Sequence, residues 1–163
     1  MAVRPAGPAD AAAINAVYNP YIRDTTQTFE TVEHTLEDRL NWFAARAGNP
    51  RWPVFVAERA GEVVGFASAN AFDPRGAYET SVKVSVFLKP DARRQGLGSA
   101  LYSALFKALE TADVHRAYGL VTAPNPASAA LHRLFGFEHV ATLNEVGRKF
   151  GRFHDVMWFE KRF

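Results

Sequence analysis

Residues 81–102, SVKVSVFLKPDARRQGLGSALY, decide the fold. Ser81, Lys83, Ser85 and Phe87 alternate with Val82, Val84, Val86 and Leu88, which is the period of a strand with one polar and one apolar face. A basic loop with two glycines follows. A helix is then expected from Gly98 to Ala112, with Leu101, Leu105 and Leu109 at spacings of four. Glycines let a backbone bend so that successive N–H groups point inward. The next helix adds unpaired N-terminal N–H groups and the positive end of its dipole. With Arg93 and Arg94 alongside, the loop suits a diphosphate or similar anion. The alternative is a plain strand-to-helix turn with a solvated basic patch. Lys83 is the odd residue, a charge in the middle of an otherwise apolar strand.

Other anion-binding and catalytic signatures fail. GLGSAL lacks the lysine of a P-loop, and Leu101 stands where a dinucleotide fingerprint needs a small residue. There is no GxSxG elbow and no HExxH, and the 5 histidines have no metal-ligand spacing. The absence of cysteine excludes disulfides, thiolate-bound metal and a cysteine nucleophile. No metal is expected.

At 163 residues with 48% hydrophobic side chains, one packed domain over 1–163 is expected. A net charge of +2 and a single short basic cluster argue against a nucleic-acid partner. No secretory signal and no apolar run of spanning length is visible, so no membrane partner and a cytoplasmic location are expected.

Around the central stretch the chain predicts the order β α α β β β α β α β β. AVR is a first strand. Pro8 opens a helix whose apolar face carries Ile14, Val17 and Tyr18, and residues 19–34 read as irregular. Thr35 caps a second helix with Asp38 three positions on, and Leu36, Leu40 and Phe43 form its apolar stripe. Ala60 and Gly61 turn a hairpin. A short helix from Ser128 to Phe135 follows Asn125-Pro126 and is closed by Gly136. Two last strands flank a glycine loop at 147–151. Hairpins first and βαβ units later argue for a mixed α/β sheet covered by helices.

The motif R-x-x-G-x-G, from Arg93 to Gly98, precedes APNPASAALHRLFGFE by one βα unit. In that order the two resemble the GNAT acetyltransferases. Further stretches, VRPAGPADAAAINAVYNPYI, TFET, RGAYETSV, LHRLFGF and VGRKFGRFHD, look like the phosphinothricin and methionine sulfoximine/sulfone acetyltransferase group. The resemblance spans essentially the whole chain. It implies a twisted mixed sheet of about seven strands and about four helices, split between two parallel central strands, with acetyl-CoA in the split. It also implies a small-molecule amine as acceptor, the α-amine of a small amino acid or analogue, and a homodimer.

Residue by residue, the resemblance implies that backbone groups of Val86, Phe87 and Leu88 pair with the pantetheine arm. Arg93, Arg94, Gln95, Gly96, Leu97, Gly98 and Ser99 would cradle the pyrophosphate, with Asn125 and Ser128 further along the cofactor. Arg75 and Tyr78 would bind substrate, and Phe29 together with the loop 149–153, including Lys149 and Phe153, would wall its pocket. A catalytically altered acyl-CoA-binding protein and a peptide or protein N-terminal acetyltransferase remain the alternative functions.

Attack of an amine on a thioester needs a neutral amine, hence a proton acceptor, and the departing thiolate benefits from an acid. Holding the two reactants together supplies much of the rate. Relatives of this group are expected to carry a glutamate base in the central strand, where this chain has Lys83. Lys83 can act as a base if buried, attract a substrate carboxylate if charged, or snorkel to solvent. His132 stands where many GNAT members have an acid tyrosine; it suits an acid, or a helix-face packing role, equally well. Glu79, four residues before Lys83 and expected on its face, can supply the missing carboxylate. His154 and Asp155 suit a loop-closing hydrogen bond. Trp42, Trp52 and Trp158 are expected mostly in the core.

Overall fold

The computed structural model describes residues 2–163. Seven strands, β1 (Ala2–Pro5), β2 (Val54–Arg59), β3 (Glu62–Ala71), β4 (Ser81–Leu88), β5 (Arg116–Thr122), β6 (Glu138–Lys149) and β7 (Arg152–Arg162), form one sheet in the order β1-β2-β3-β4-β5-β7-β6. Every neighbouring pair is antiparallel except β4 with β5. Four helices cover it: α1 (Ala11–Asp24), α2 (Leu36–Ala45), α3 (Leu97–Leu109) and α4 (Pro126–Leu134). This is the expected mixed α/β fold. No helix is long and apolar enough to cross a membrane.

The alternation in β4 sorts its residues as expected. Val82 and Val84 enter an apolar cluster with Leu101, Tyr102 and Leu105 of α3. Phe87 faces the other way, onto a second cluster in which Tyr18 of α1 meets Phe66 of β3 and Phe43 of α2. The sheet is therefore sandwiched, and burial on both faces is what makes its central strands read as apolar.

Several features differ from expectation; α3 ends at Leu109 rather than Ala112, and α4 begins at Pro126 rather than Ser128. The first helix does not stop at residue 18 but runs through Pro20 to Asp24. Proline interrupts one intrahelical hydrogen bond, yet Tyr21 and Ile22 are buried just beyond it, and their packing outweighs that loss. In α2 the Thr35 and Asp38 capping box forms as expected. Its inward face, however, carries Phe43 and a buried Arg39, whereas Leu36 and Leu40 are exposed. Arg39 is accommodated because its Nε donates to Asn15 Oδ1 at 2.8 Å and its guanidinium lies 4.7 Å from the Trp42 ring. Finally, the glycine loop at 147–151 is a two-residue turn: β6 runs through Gly147 to Lys149, and only Phe150 (φ 52°) and Gly151 (φ 72°) turn the chain. His154 Nε2 donates to Lys149 O at 3.1 Å, the loop-closing bond expected of it.

Candidate active site

The parallel pair β4 and β5 is joined over three residue pairs, ending at Lys83 opposite Tyr118, and then parts. The opening becomes a cleft of about 480 Å³ between the strands and the N-termini of α3 and α4. Hydrogen bonding fixes which backbone groups of β4 look into it. Lys89 N donates to Val64 O (2.8 Å) and Ser81 O accepts from Phe72 N (3.3 Å), so odd-numbered residues turn their polar groups to β3. Thr80 O accepts from His115 N at 2.8 Å, so even-numbered residues face the β5 side. Val86 and Leu88 thus address the cleft, whereas Phe87 turns its backbone polar groups to β3. Leu88 is already engaged: Tyr21 Oη donates to its carbonyl and accepts from its N–H at 3.4 Å.

The glycine loop bends as its composition requires. Arg94 (φ 60°) and Gly96 (φ 76°) are left-handed, and Gly96 serves as the N-terminal cap residue of α3. No side chain caps that helix, and its first backbone bond is Ala100 N to Gly96 O at 3.0 Å. The N–H groups of Leu97, Gly98 and Ser99 therefore lack intrahelical partners, at the wall of the cleft. Arg93 and Arg94 line the same wall. Gln95 does not: its side chain turns back to Asp91 O (2.9 Å) and Arg59 (3.4 Å). Across the cleft Asn125 caps α4 by accepting from Ser128 N at 3.1 Å, and both residues line the opening. A strand edge with free amides, leading to an uncapped helix N-terminus with two arginines, fits an extended amide-bearing arm that ends in a diphosphate, as acetyl-CoA has.

His132 also borders the cleft, but its environment departs from that of an acid. It is buried, stacked on Phe159 with ring centroids 5.5 Å apart, and set against Gly119, where a Cβ would lie 2.1 Å from its Nε2. Its Nδ1 lies 2.8 Å from Ser128 O, which can only accept, so Nδ1 carries the proton. Burial pushes its pKa below the ordinary value, with the Ser128 contact opposing, so the ring is neutral. Nε2 is then an acceptor, and the Tyr102 hydroxyl, 3.2 Å away, is its donor. In this tautomer His132 has no Nε2 proton to give to a thiolate. Tyr102 is fully buried, and burial pushes its pKa up.

On the opposite face of the sheet, Asn70, Lys83, Tyr118 and Glu160 lie in one row across β3, β4, β5 and β7. The Tyr118 hydroxyl donates to Glu160 at 2.9 Å. Phe72 packs against Tyr118 and Trp158 beside this row, at 4.9 and 6.1 Å. Trp158 is half-buried, with its Nε1 shielded and lacking a hydrogen-bond partner. Lys83 is half-buried at the closed end of the split.

Glu79 does not join it. A 3-10 turn over Gly76–Tyr78 breaks the alternation before β4 begins, and Glu79 is exposed and 4.0 Å from Arg51. The carboxylate that senses Lys83 is instead Asp73, whose pKa is held low first by the Arg75 side chain, with Lys83 a smaller contributor. Arg75 is exposed, binds Asp73 at 2.8 Å and lies 5.1 Å from the Tyr78 ring.

The loop between α1 and α2 is clamped to the β6–β7 hairpin. The Phe29 ring lies on the bare backbone of Gly147, where a Cβ would come within 2.0 Å of it. Lys149, expected in a pocket wall, is buried and donates to Thr28 O at 2.8 Å; burial lowers its pKa and nearby Glu30 opposes this. Phe153 is exposed, 5.8 Å from the Arg148 guanidinium. Among the described residues no three His, Asp or Glu side chains gather as metal ligands.

Tyr21, Tyr102, Tyr118, Glu160 and Asp73 are among the site-lining or site-adjacent residues that sequence reasoning missed. For Tyr21 a signal existed: Ile14, Val17, Tyr18, Tyr21 and Ile22 continue one helical stripe across Pro20.

Comparison with known proteins agrees with this geometry. The family described as acetyltransferase (GNAT) domain matches residues 3–158. The chain is 43% identical to a phosphinothricin N-acetyltransferase of Streptomyces coelicolor, over 98% of this chain and 94% of that one. It is 36% identical to an L-methionine sulfoximine/L-methionine sulfone acetyltransferase of Pseudomonas paraeruginosa, over 97% and 92%. Among solved structures, a ribosomal-protein-alanine N-acetyltransferase from Brucella melitensis superposes with a TM-score of 0.95 at 37% identity, covering 100% of both chains. A phosphinothricin acetyltransferase from Sinorhizobium meliloti in complex with AcCoA gives 0.94 at 31%, over 99% of this chain and 88% of that one. With a split β4–β5 pair, an uncapped α3 and a family match over nearly its whole length, the chain belongs to the GNAT acetyltransferases and uses acetyl-CoA.

Proposed function

We propose that this single acetyltransferase domain moves the acetyl group of acetyl-CoA to the α-amine of a small amino acid or analogue, of the phosphinothricin or methionine sulfoximine kind. The observation that carries the proposal is the split itself, which opens just beyond Lys83 and Tyr118 and leads to the α3 N-terminus. Acetyl-CoA supplies a thioester as acyl donor. Val86 and the amides of Leu97, Gly98 and Ser99 hold the donor's arm and phosphates in place. The acceptor nitrogen attacks the acyl carbon, the C–N bond forms and the C–S bond breaks. The proton lost by nitrogen passes to water, and the thiolate takes one up.

Lys83 acts here through its charge. A cation beside the closed end of the split favours a substrate carboxylate, and it also favours the neutral form of a neighbouring α-amine. Asp73 is committed to Arg75 and leaves the Lys83 charge available. Lys83→Gln is expected to raise KM for amino acids about tenfold, with a smaller loss in kcat and an alkaline shift of the kcat/KM profile. A complete loss of kcat at unchanged KM would instead make Lys83 the base.

Incubation with acetyl-CoA and phosphinothricin, methionine sulfoximine, methionine sulfone or an alanine-ended peptide, with thiol release followed, tests the activity. Turnover of free amino acids above the peptide is expected. No thiol release from any acceptor, with acetyl-CoA binding demonstrated by calorimetry, would favour the binding-protein alternative; preference for the peptide would favour N-terminal acetylation. The proposed assembly is a homodimer. β6 is a 12-residue edge strand, almost all of it exposed, with Val140, Leu143 and Val146 on its surface, the kind of edge that a second copy covers. Sedimentation at the mass of one chain would remove the dimer from the proposal.

A further inference from the structure

We propose that Tyr21 is a positioning residue for the diphosphate end of the cofactor, acting through Arg93. The proposal rests on acetyl-CoA as the cosubstrate. A phenol hydroxyl has one proton to donate and two lone pairs to accept with. All three are assigned: Tyr21 Oη donates to Leu88 O, accepts from Leu88 N at 3.4 Å and accepts from Arg93 Nη2 at 2.9 Å. The Arg93 guanidinium also lies 5.5 Å from the Tyr21 ring. The ring itself is buried, edge-on to Phe87 with centroids 5.0 Å apart.

Two consequences follow from that saturation. Tyr21 has no hydrogen-bonding capacity left for a ligand, so its influence on the cofactor runs through what it holds. It also occupies the last cleft-facing backbone pair of β4, so strand-like pairing with the pantetheine arm ends at Val86, and the arm must turn there toward the α3 N-terminus. Arg93, otherwise an exposed side chain free to sample many rotamers, is tethered at the point where the arm turns.

The test measures CoA binding by calorimetry for the parent, Tyr21→Phe, Arg93→Gln and the double variant, at several salt concentrations. The phenylalanine keeps the ring packing, and Arg93→Gln leaves the core untouched, so a folding defect in one does not blind the other. Each single variant is expected to weaken CoA binding about fivefold to tenfold, and the double variant to be no weaker than the worse single one. The salt dependence should flatten equally in all three. Additive losses, or an unchanged salt dependence in Tyr21→Phe, overturn the proposal. Tighter binding in Tyr21→Phe also overturns it, because the hydroxyl would then be competing for Leu88. If the parent itself does not bind CoA, the acetyl-CoA assignment fails rather than the role of Tyr21.

Discussion

The two halves of the site are built from different material. The half that addresses the cofactor is mostly backbone: the even-numbered amides of β4, the left-handed turn at Arg94 and Gly96, and the open N-terminus of α3, all from one continuous stretch. The half beside Lys83 is side chains brought from β3, β5, β7 and the loop after β3. Backbone geometry is set by local sequence and tolerates most neighbours, whereas a side-chain constellation depends on how distant elements pack. The second half is therefore where a charge such as that of Lys83 can be placed without disturbing the fold.

The largest effect expected from this contrast is Ser99→Asp. A carboxylate in the first turn of α3 is favourable to the helix by about 0.3–1 kcal/mol, yet it meets the diphosphate with like charge. KM for acetyl-CoA should rise about a hundredfold, some 2.7 kcal/mol, while thermal unfolding stays level or moves up. A lowered melting point alongside weak binding would mean that the cofactor half depends on packing after all. Gly119→Ala comes next. Its Cβ would meet the buried His132 ring, and the loss of stability should be about 1–3 kcal/mol, read by denaturant titration. Gly147→Ala pushes Phe29 off the hairpin; KM for the acceptor should rise about threefold to fivefold, close to 1 kcal/mol, with CoA affinity by calorimetry unmoved. Equal changes in both ligands would show that the halves are mechanically one.

A pH series sharpens the comparison on the α4 side. His132 is held neutral by burial, so its folded pKa lies below the unfolded value of about 6.5. Unfolding lets it take up a proton; its contribution is complete above pH 6.5 and is lost as pH falls below that. Denaturant midpoints should drop as pH falls below about 6.5, and the slope should vanish in His132→Asn. Asp10, held low by Arg4, belongs to a more acid range. The smallest effect is Glu79→Gln. This exposed residue, 4.0 Å from Arg51, should change stability by less than about 0.5 kcal/mol and leave kcat unaltered; a large drop in kcat would return Glu79 to the site.

The loop at 93–99 was legible because glycine, arginine and a following apolar period of four carry their structural meaning in adjacent positions. The face of Lys83 was equally legible from alternation alone. The position of Glu79 was not, since counting by two fails once a 3-10 turn intervenes, and nothing in RGAYE marks that turn as strongly as the strand marks itself. His132 was recognisable as a site-lining residue. Its tautomer was not, because that depends on Ser128 O, Tyr102 and Gly119, which come from α4, α3 and β5. Tyr21 was hidden by Pro20, whose local signal for a helix end is overruled by burial.

By itself, then, the sequence of this protein determined the strand, the anion-binding turn and the helix behind it, along with the family they identify. Those features rest on backbone conformation, and φ preferences and hydrophobic period act within a few residues of one another. Only the tertiary structure decided which groups are free to act. It committed Lys149 to Thr28 and the Tyr21 hydroxyl to Leu88 and Arg93, and among the described residues it left Lys83 uncommitted at the fork of the sheet. The availability of a polar group depends on what packs against it, and here the packing partners lie tens of residues away in the chain.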